Sequence, residues 1–469
     1  MEDFLPMANQ HDILGSKNPV RTVFLLSWPA ILEQILFTAV QYVDTAMVGS
    51  LGANATAAVG INTSSIWLIG GLLNAVSTGF AVQVAQYTGA QDMDSARKVV
   101  RQAVRFCAFL GILLMGATML IAPLIPRLMG GAPEILGDAG LYLRIFCMAL
   151  PFQLFGMVFS AILRCTGDMK TPMVLNALSN LVNILFNTLF IFPTRTVALF
   201  GRTFTIWGAG IGVAGAAVGS VIAAIFVGVL MVLTLLHRKG PLQIRLRDCR
   251  QDDPFILRRM AGIGIPVFLE RGIITMGQLI FTRVVTGLGT VALAAHTLAN
   301  TAESLSYLPS GGFSYAATTL VGQSVGAKNA SRARQYGKIA TFMGMGMLTL
   351  TGLLLFFFPD KLVGIFSADA AVIALGALCL KIESLAQPLS AAGTIVAGAL
   401  RGSGDSKWPF YIGFLGMWAV RIPLAFLLTY VFDMGLPGIW IAMCVDINVR
   451  GIISLHRFFR SDWAERAAA

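Results

Sequence analysis

Uninterrupted apolar runs constrain this chain more than any other feature. Phe106 to Pro123, Ile211 to Leu236 and Ile339 to Pro359 each hold eighteen or more residues with almost no charge. Such a run matches the roughly 20 residues that a helix needs to cross the hydrocarbon core of a bilayer. A transmembrane barrel would show alternating segments of about ten residues instead, and that pattern is absent. Only 12% of the 469 residues are charged and 56% are hydrophobic, against about 25% charged in an ordinary soluble domain. The composition excludes an aqueous fold and predicts an all-α integral membrane protein.

Spans are expected to begin near residues 22, 57, 99, 136, 171, 207, 255, 292, 337, 372, 408 and 436. The loops between them alternate in charge. One set carries Arg97, Lys98, Arg101 and Arg105; Arg164 and Lys170; a basic linker from His237 to Arg259; Lys328, Arg332, Arg334 and Lys338; and Arg401 and Lys407. The other carries little beyond Arg127, Arg195, Arg202 and Lys361. Lys and Arg favour the cytoplasmic side, so both termini are expected in the cytoplasm and the protein in a plasma (inner) membrane. The net charge of +11 is then explained by topology, and no nucleic-acid partner is expected. Met1 to Asn18 is polar and lacks the short apolar core of a cleaved signal. The six cysteines are scattered, without a CxxC pair or a His/Cys cluster, so neither metal nor cofactor is expected.

A shift of 237 positions superposes the chain on itself. Pro29 falls on Pro266, Glu33 on Glu270, Leu51-Gly52 on Leu288-Gly289 and Pro151 on Pro388. Gln86, Gly89, Ala90, Ala96 and Arg97 fall on Gln323, Gly326, Ala327, Ala333 and Arg334, and Arg164, Gly167, Asp168, Lys170 and Pro172 on Arg401, Gly404, Asp405, Lys407 and Pro409. One offset held from the first span to the fifth means that a six-helix unit was duplicated. Six is even, so the copies are parallel, as in carriers whose two bundles rock about a central cleft. The expected organisation is a tail (1–21), an N lobe (22–236), a linker (237–254), a C lobe (255–457) and a second tail (458–469), without a stable oligomer.

Polar side chains inside spans usually face a cavity or another helix. Four spans carry such residues on one face at helical spacing: Glu33, Gln34, Gln41 and Asp44 in the first; Asn176, Asn180, Asn183 and Asn187 in the fifth; Arg271, Thr275, Gln278 and Thr282 in the seventh; and His296, Asn300, Glu303 and Tyr307 in the eighth. These stripes either line a water-filled cleft or hydrogen-bond neighbouring helices. Asp44 supplies the clear charge of the N lobe, and the asparagines supply oxygens for a cation or a protonated carboxyl. On this reading Asp44, Asn180, Asn183 and Asn187 couple an ion, H⁺ or Na⁺. Gln41, Asn176, Gln278, Thr282, Asn300, Glu303 and Tyr307 line the substrate cleft. Glu33 and Glu270, four residues after Pro29 and Pro266, gate the bundle or cap it. Arg271 is placed to neutralise Glu270, His296 and Glu303 form a relay or a buried pair, and Arg421 and Asp446 are candidates for an ion pair.

The segment WPAILEQILFTAVQYVDTAMVGSLG (Trp28 to Gly52), with VGQSVGAKNASRAR (Val321 to Arg334), LRCTGDMKTP (Leu163 to Pro172) and LRGSGDSKWP (Leu400 to Pro409), resembles the multidrug and toxic compound extrusion (MATE) transporters along the whole chain. The resemblance implies two six-helix lobes that export small organic cations and amphiphiles from the membrane in exchange for Na⁺ or H⁺. It implies coupling at Asp44, a helix bend at Pro29 and a role for Asn183. Where many prokaryotic members carry an acid in the fifth helix, this chain has Asn187. Acids that one subfamily carries in the seventh and tenth helices are here Ile274 and Ser390. Both departures imply the DinF-like branch, with coupling concentrated in the N lobe. The alternative, a lipid-linked precursor flippase of the same superfamily, is expected to line its cleft with arginines, and Arg271 stands alone in the polar stripes. No catalytic constellation appears, so an enzyme is not expected.

Overall fold

The computed structural model describes residues 17–199, 202–237 and 253–468. The tail before residue 17 and most of the predicted linker lie outside them. Twelve helical units run in order: α1 (Pro19–Gly49), α2 (Ala53–Gly89), α3 (Met93–Ile121), α4 (Pro133–Cys147 with Leu150–Cys165), α5 (Lys170–Ile191), α6 (Gly212–His237), α7 (Pro254–Thr286), α8 (Thr290–Gly326), α9 (Ala330–Phe357), α10 (Ala370–Ser384 with Gln387–Ser403), α11 (Lys407–Val431) and α12 (Gly435–Arg460). Among the described residues, nine helices are long and apolar enough to cross a membrane, and eleven when each bent pair is one span. α8, at 37 residues, is the twelfth; it falls below that apolarity because it packs against α1, α2, α9, α10 and α7 and presents little surface to lipid.

The described residues bear out the all-α expectation apart from one short hairpin. Pro193–Leu199 (β1) and Arg202–Ala209 (β2) form an antiparallel hairpin between α5 and α6. Its alternating Thr, Val, Phe and Ile residues suit a strand better than a helix, so α6 begins at Gly212, later than predicted.

Local chemistry sets the helix ends. Asp92 caps α3 by accepting the Ser95 amide at 3.0 Å, and these contacts hold its carboxyl below the usual carboxylate range. Asn329, its repeat counterpart, accepts the Arg332 amide at 2.9 Å. Asp253 caps α7 and Asp369 caps α10 in the same manner, each satisfying an amide that the first turn leaves unpaired. α4 and α10 are bent by 49° and 55° where Pro151 and Pro388 open their second segments, because proline supplies no N–H to continue the ladder. α11 widens into π turns on both sides of Pro423, for the same reason.

The duplication is repeated in three dimensions. Gly52 and Gly289 both take positive φ, 107° and 97°, before the helix that follows, and Gly167 and Gly404 take 95° and 94°. The Ser77 hydroxyl donates to the Met157 carbonyl and that of Ser314 to the Thr394 carbonyl, each at 3.0 Å. The halves meet where α2 packs on α7 and α8, and α1 on α8. At one end the Gln86 amide donates to the Gly402 carbonyl at 3.0 Å, and the Gln323 amide to the Cys165 carbonyl at 2.8 Å. These are the same bond made twice, once in each direction. Apolar clusters fill each half, one around Phe80 and Phe159, others around Tyr336 and Phe458 and around Trp440. Leu120, Leu128, Phe109 and Ile365 stand exposed on the outside, as a lipid-facing surface requires.

Candidate functional site

Two polar regions occupy the interior, one in each half. In the first, α1 brings Asp44 against α5. The Asn187 amide donates to Asp44 Oδ1 at 2.8 Å. The Asn183 amide, with its nitrogen turned toward the carboxylate, donates to Oδ1 at 2.8 Å and Oδ2 at 3.1 Å. Both asparagines are buried, at 7% and 1% exposed, and they lie one turn apart, so a single face of α5 delivers two amides to one carboxylate. The site depends on Gly219 of α6, where an added Cβ would stand 2.0 Å from Asn187 Oδ1. Asn180 lies on the same helix one turn away, and no hydrogen bond joins it to Asp44.

Gly219→Ala therefore displaces the Asn187 amide from Asp44. The expected result is about a tenfold rise in the ion concentration that half-saturates transport, the scale of one lost charge-assisted hydrogen bond, with substrate binding unchanged. An unchanged ion dependence would remove Asn187 from the site.

Glu33 of α1 is committed elsewhere. Arg164 donates to its two oxygens at 2.9 and 3.2 Å, and Asn176 to Oε1 at 2.8 Å. The Arg164 guanidinium also lies 4.6 Å over the Tyr315 ring of α8, tying both halves to one cation. The repeat reproduces the pair, since Arg401 donates to Glu270 at 2.7 and 2.9 Å. The predicted partner of Glu270 is thus replaced: Arg401, not Arg271, neutralises it, and the Arg271 side chain lies beside Gly71 of α2, where an added Cβ would stand 2.9 Å from its Cγ. Asn176, predicted in the cleft, is spent on Glu33, since α5 turns that end of its stripe toward α1 and α4.

The second region is a cavity of about 550 Å³ lined mainly by the second half, with Asn74 of α2 from the first. Gln278, Asn300, Glu303 and Tyr307 of the predicted cleft line it, together with Glu270, Arg271, Arg401, Arg421 and Arg450. Gln41 and Thr282 are not on its wall; the Thr282 hydroxyl donates to its own helix at the Gln278 carbonyl. His296 pairs with Asn300 at 2.9 Å and packs against Phe281 and Trp440, so it does not meet Glu303. From the wall, Arg421 and Arg450 both donate to Oδ2 of Asp446 behind it, at 2.7 and 2.6 Å. Gly416 makes room, since a Cβ there would lie 2.2 Å from Asp446 Oδ1.

One expectation changes here. Arg271 is not alone, because three more arginines reach the cavity wall from α10, α11 and α12. The second half also holds acids. Ile274 and Ser390 do line the cavity, but Glu303, and Glu383 at 0% exposed, bring carboxylates from α8 and α10. Sequence reading missed Glu383, although an acid within an apolar segment is itself a signal. It also missed Arg164, Arg450 and Gly219, whose roles follow only from helix packing. Among the described residues, no group of three His, Cys, Asp or Glu side chains is placed to hold a metal ion.

Asp446→Ala leaves two buried guanidinium groups uncompensated. Breaking one side of a buried ion pair costs about 3–5 kcal/mol, so this variant is expected to give little monodisperse protein on size exclusion in detergent. A wild-type thermal transition would refute a structural role for the triad.

The MatE family model matches residues 29–189 and again 266–427, two blocks separated by the internal repeat. A protein of Thermotoga maritima named "Probable multidrug resistance protein NorM" is 31% identical over 446 residues, covering 94% of this chain and 92% of its own. The "Uncharacterized transporter YisQ" of Bacillus subtilis is 27% identical over 449 residues, with 96% of each chain covered. Among solved structures, one of MATE in complex with MaD3S superposes with a TM-score of 0.88 at 20% identity, covering 97% of this chain and 98% of its own. An outward-facing multidrug resistance MATE family transporter of the MOP superfamily gives 0.87 at 20% identity, covering 97% and 99%. The relatives' names speak for the family and not for the DinF-like branch. With two matched blocks, twelve helical spans and whole-chain similarity in both sequence and fold, the chain belongs to the MatE family of membrane transporters.

Proposed function

We propose that this protein exports cationic or amphiphilic organic compounds in exchange for H⁺ or Na⁺, by alternating access between an N lobe (22–236) and a C lobe (255–457). The observation that carries the reading is the Asp44 carboxylate held by the amides of Asn183 and Asn187. It is the ionisable group of the first half that lacks a cationic partner among the described residues of α1 and α5, whereas Glu33 is paired with Arg164. A carboxylate surrounded by neutral amides accepts either a proton or a desolvated cation. α1 also packs across onto α8, so a change at Asp44 reaches the contact between lobes. Relatives named for multidrug resistance, including MdtK of Edwardsiella ictaluri at 29% identity, support the same direction of transport.

On this reading the basic loops and both termini are cytoplasmic, and so is the end where Gln86 and Gln323 join the lobes. The flippase alternative loses weight from the pairing of the arginines. Glu270 meets Arg401 and Asp446 meets Arg421 and Arg450, and with Glu303 on the wall and the buried Glu383 the region sets four acids against the four arginines, Arg271 included, so it lacks the surplus of positive charge that a pyrophosphate requires.

The test is transport of ethidium in proteoliposomes under separately imposed Na⁺ and H⁺ gradients. Movement driven by one gradient supports antiport and identifies the ion. Absence of movement under both refutes the proposed exchange.

A further inference from the structure

The repeat departs from its own pattern where α3 of the first half meets α7 of the second. Gln102 Oε1 accepts from the Asp253 amide, at the start of α7, at 3.3 Å and from Arg105 at 2.6 Å. Arg259 donates to Gln86 of α2, so this seam lies at the end where Gln86 and Gln323 join the lobes. Ile256 and Met260 of α7 share one buried cluster with Val99, Ala103 and Cys107 of α3. The first turns of α7 are thus packed on the opposite lobe.

Both helices present cations to the lipid side of the seam. Arg105, Phe109 and Ile112 follow Lys98 by seven, eleven and fourteen positions, so all four share a face of α3. Phe109 and Ile112 are exposed, which marks that face as lipid-facing. On α7, Ile265, Leu269 and Met276 follow the exposed Arg258 by seven, eleven and eighteen positions and are exposed as well. The charge-free run from Phe106 to Pro123 rises about 27 Å at roughly 1.5 Å per residue, close to the hydrocarbon thickness of about 30 Å. Arg105 therefore stands at the edge of the hydrocarbon, level with the headgroups.

The two halves differ in the counter-charge that the chain itself supplies. A shift of 237 positions carries α3 onto α9 and α7 back onto α1, with Lys98 on Gln335 and Arg105 on Phe342. There Arg334 pairs with Glu465 of the C-terminal segment Trp463–Ala468, and Lys338 lies over the Phe459 ring at 5.4 Å. At the α3–α7 seam the acids are committed: Asp92 and Asp253 cap helices, and Asp94 holds Arg97 at 2.9 Å.

We propose that an anionic phospholipid binds across the α3–α7 seam, its phosphate on Lys98, Arg105 and Arg258 and its chains along Phe109 and Ile265, and so joins the two lobes at this end. A phosphate complements cations gathered at headgroup level. Binding here goes beyond the exchange of an ion for an organic compound: it needs neither of them, and it is measured without transport.

The test follows the thermal transition of purified protein in neutral maltoside micelles as phosphatidylglycerol is titrated in. Wild type should gain stability from phosphatidylglycerol and none from phosphatidylcholine. The half-effective fraction of phosphatidylglycerol should rise roughly fivefold for each cation removed, the scale of one charge at an anionic surface. Lys98→Gln and Arg258→Gln change exposed side chains on opposite lobes, so each should keep the wild-type transition without lipid, and a weakened response in both is the signature of a bridge. Arg127→Gln, which removes one charge beyond the other end of α3, should respond as wild type does. Equal stabilisation by phosphatidylcholine, or by inorganic phosphate alone, would overturn the lipid site. A wild-type response in Arg258→Gln would overturn the bridge between lobes.

Discussion

Asp44→Asn is expected to abolish ion-driven efflux, lowering gradient-dependent ethidium transport by about a hundredfold or more, while the protein folds and binds substrate as wild type does. The substitution keeps the volume and one acceptor, so α1 and α5 can still pack through Asn183 and Asn187. What it removes is the charge. A neutral amide neither takes up a proton at these pH values nor attracts a desolvated cation, and the Coulomb term lost inside a low-dielectric bundle is several kcal/mol. Gradient-driven and gradient-free flux should then coincide. Full coupled efflux in Asp44→Asn would move the ion site to the C lobe, where Glu303 and Glu383 are the remaining candidates.

The second large effect is expected at the contact between lobes. A Cβ on Gly89 would stand 1.9 Å from the Gln323 carbonyl oxygen, and one on Gly326 would stand 1.8 Å from that of Gln86. In both cases the obstacle is backbone, which cannot rotate away. Gly89→Ala or Gly326→Ala must therefore separate α2 from α8. Either change also strains the paired bonds from Gln86 to Gly402 and from Gln323 to Cys165. Net hydrogen bonds of this kind contribute about 1 kcal/mol each, so together with lost packing the closed end should cease to be the favoured state. Transport should fall more than tenfold. An introduced Thr88→Cys, buried at this end in wild type, should become reactive toward an impermeant maleimide. Wild-type transport with an unreactive cysteine would show that the lobes tolerate the separation and that this contact does not gate.

Much of the site is legible along the chain because its parts share one helix. Asn183 and Asn187 are one turn apart, and so are Glu303 and Tyr307, and helical period alone puts each pair on one face. The partners across helices are not legible in the same way. Glu33 meets Arg164, and Glu270 meets Arg401, each across 131 positions, and nothing in the local sequence ranks Arg401 above the adjacent Arg271. His296 and Glu303 share a stripe, yet His296 is turned onto Asn300 and Trp440. The repeat could have helped, since either ion pair predicts the other by the same shift.

The sequence by itself determined the spans, the parallel duplication and the family. A helix in lipid must satisfy its own backbone and cover it with apolar side chains, and both demands are local. Tertiary structure alone decided which charges are neutralised and which remain to act. That choice depends on the rotation and tilt of whole helices, set by close contacts such as Gly219 on Asn187 and Gly416 on Asp446. Those packing distances tied Glu33, Glu270 and Asp446 to arginines and left Asp44 on the amides of α5.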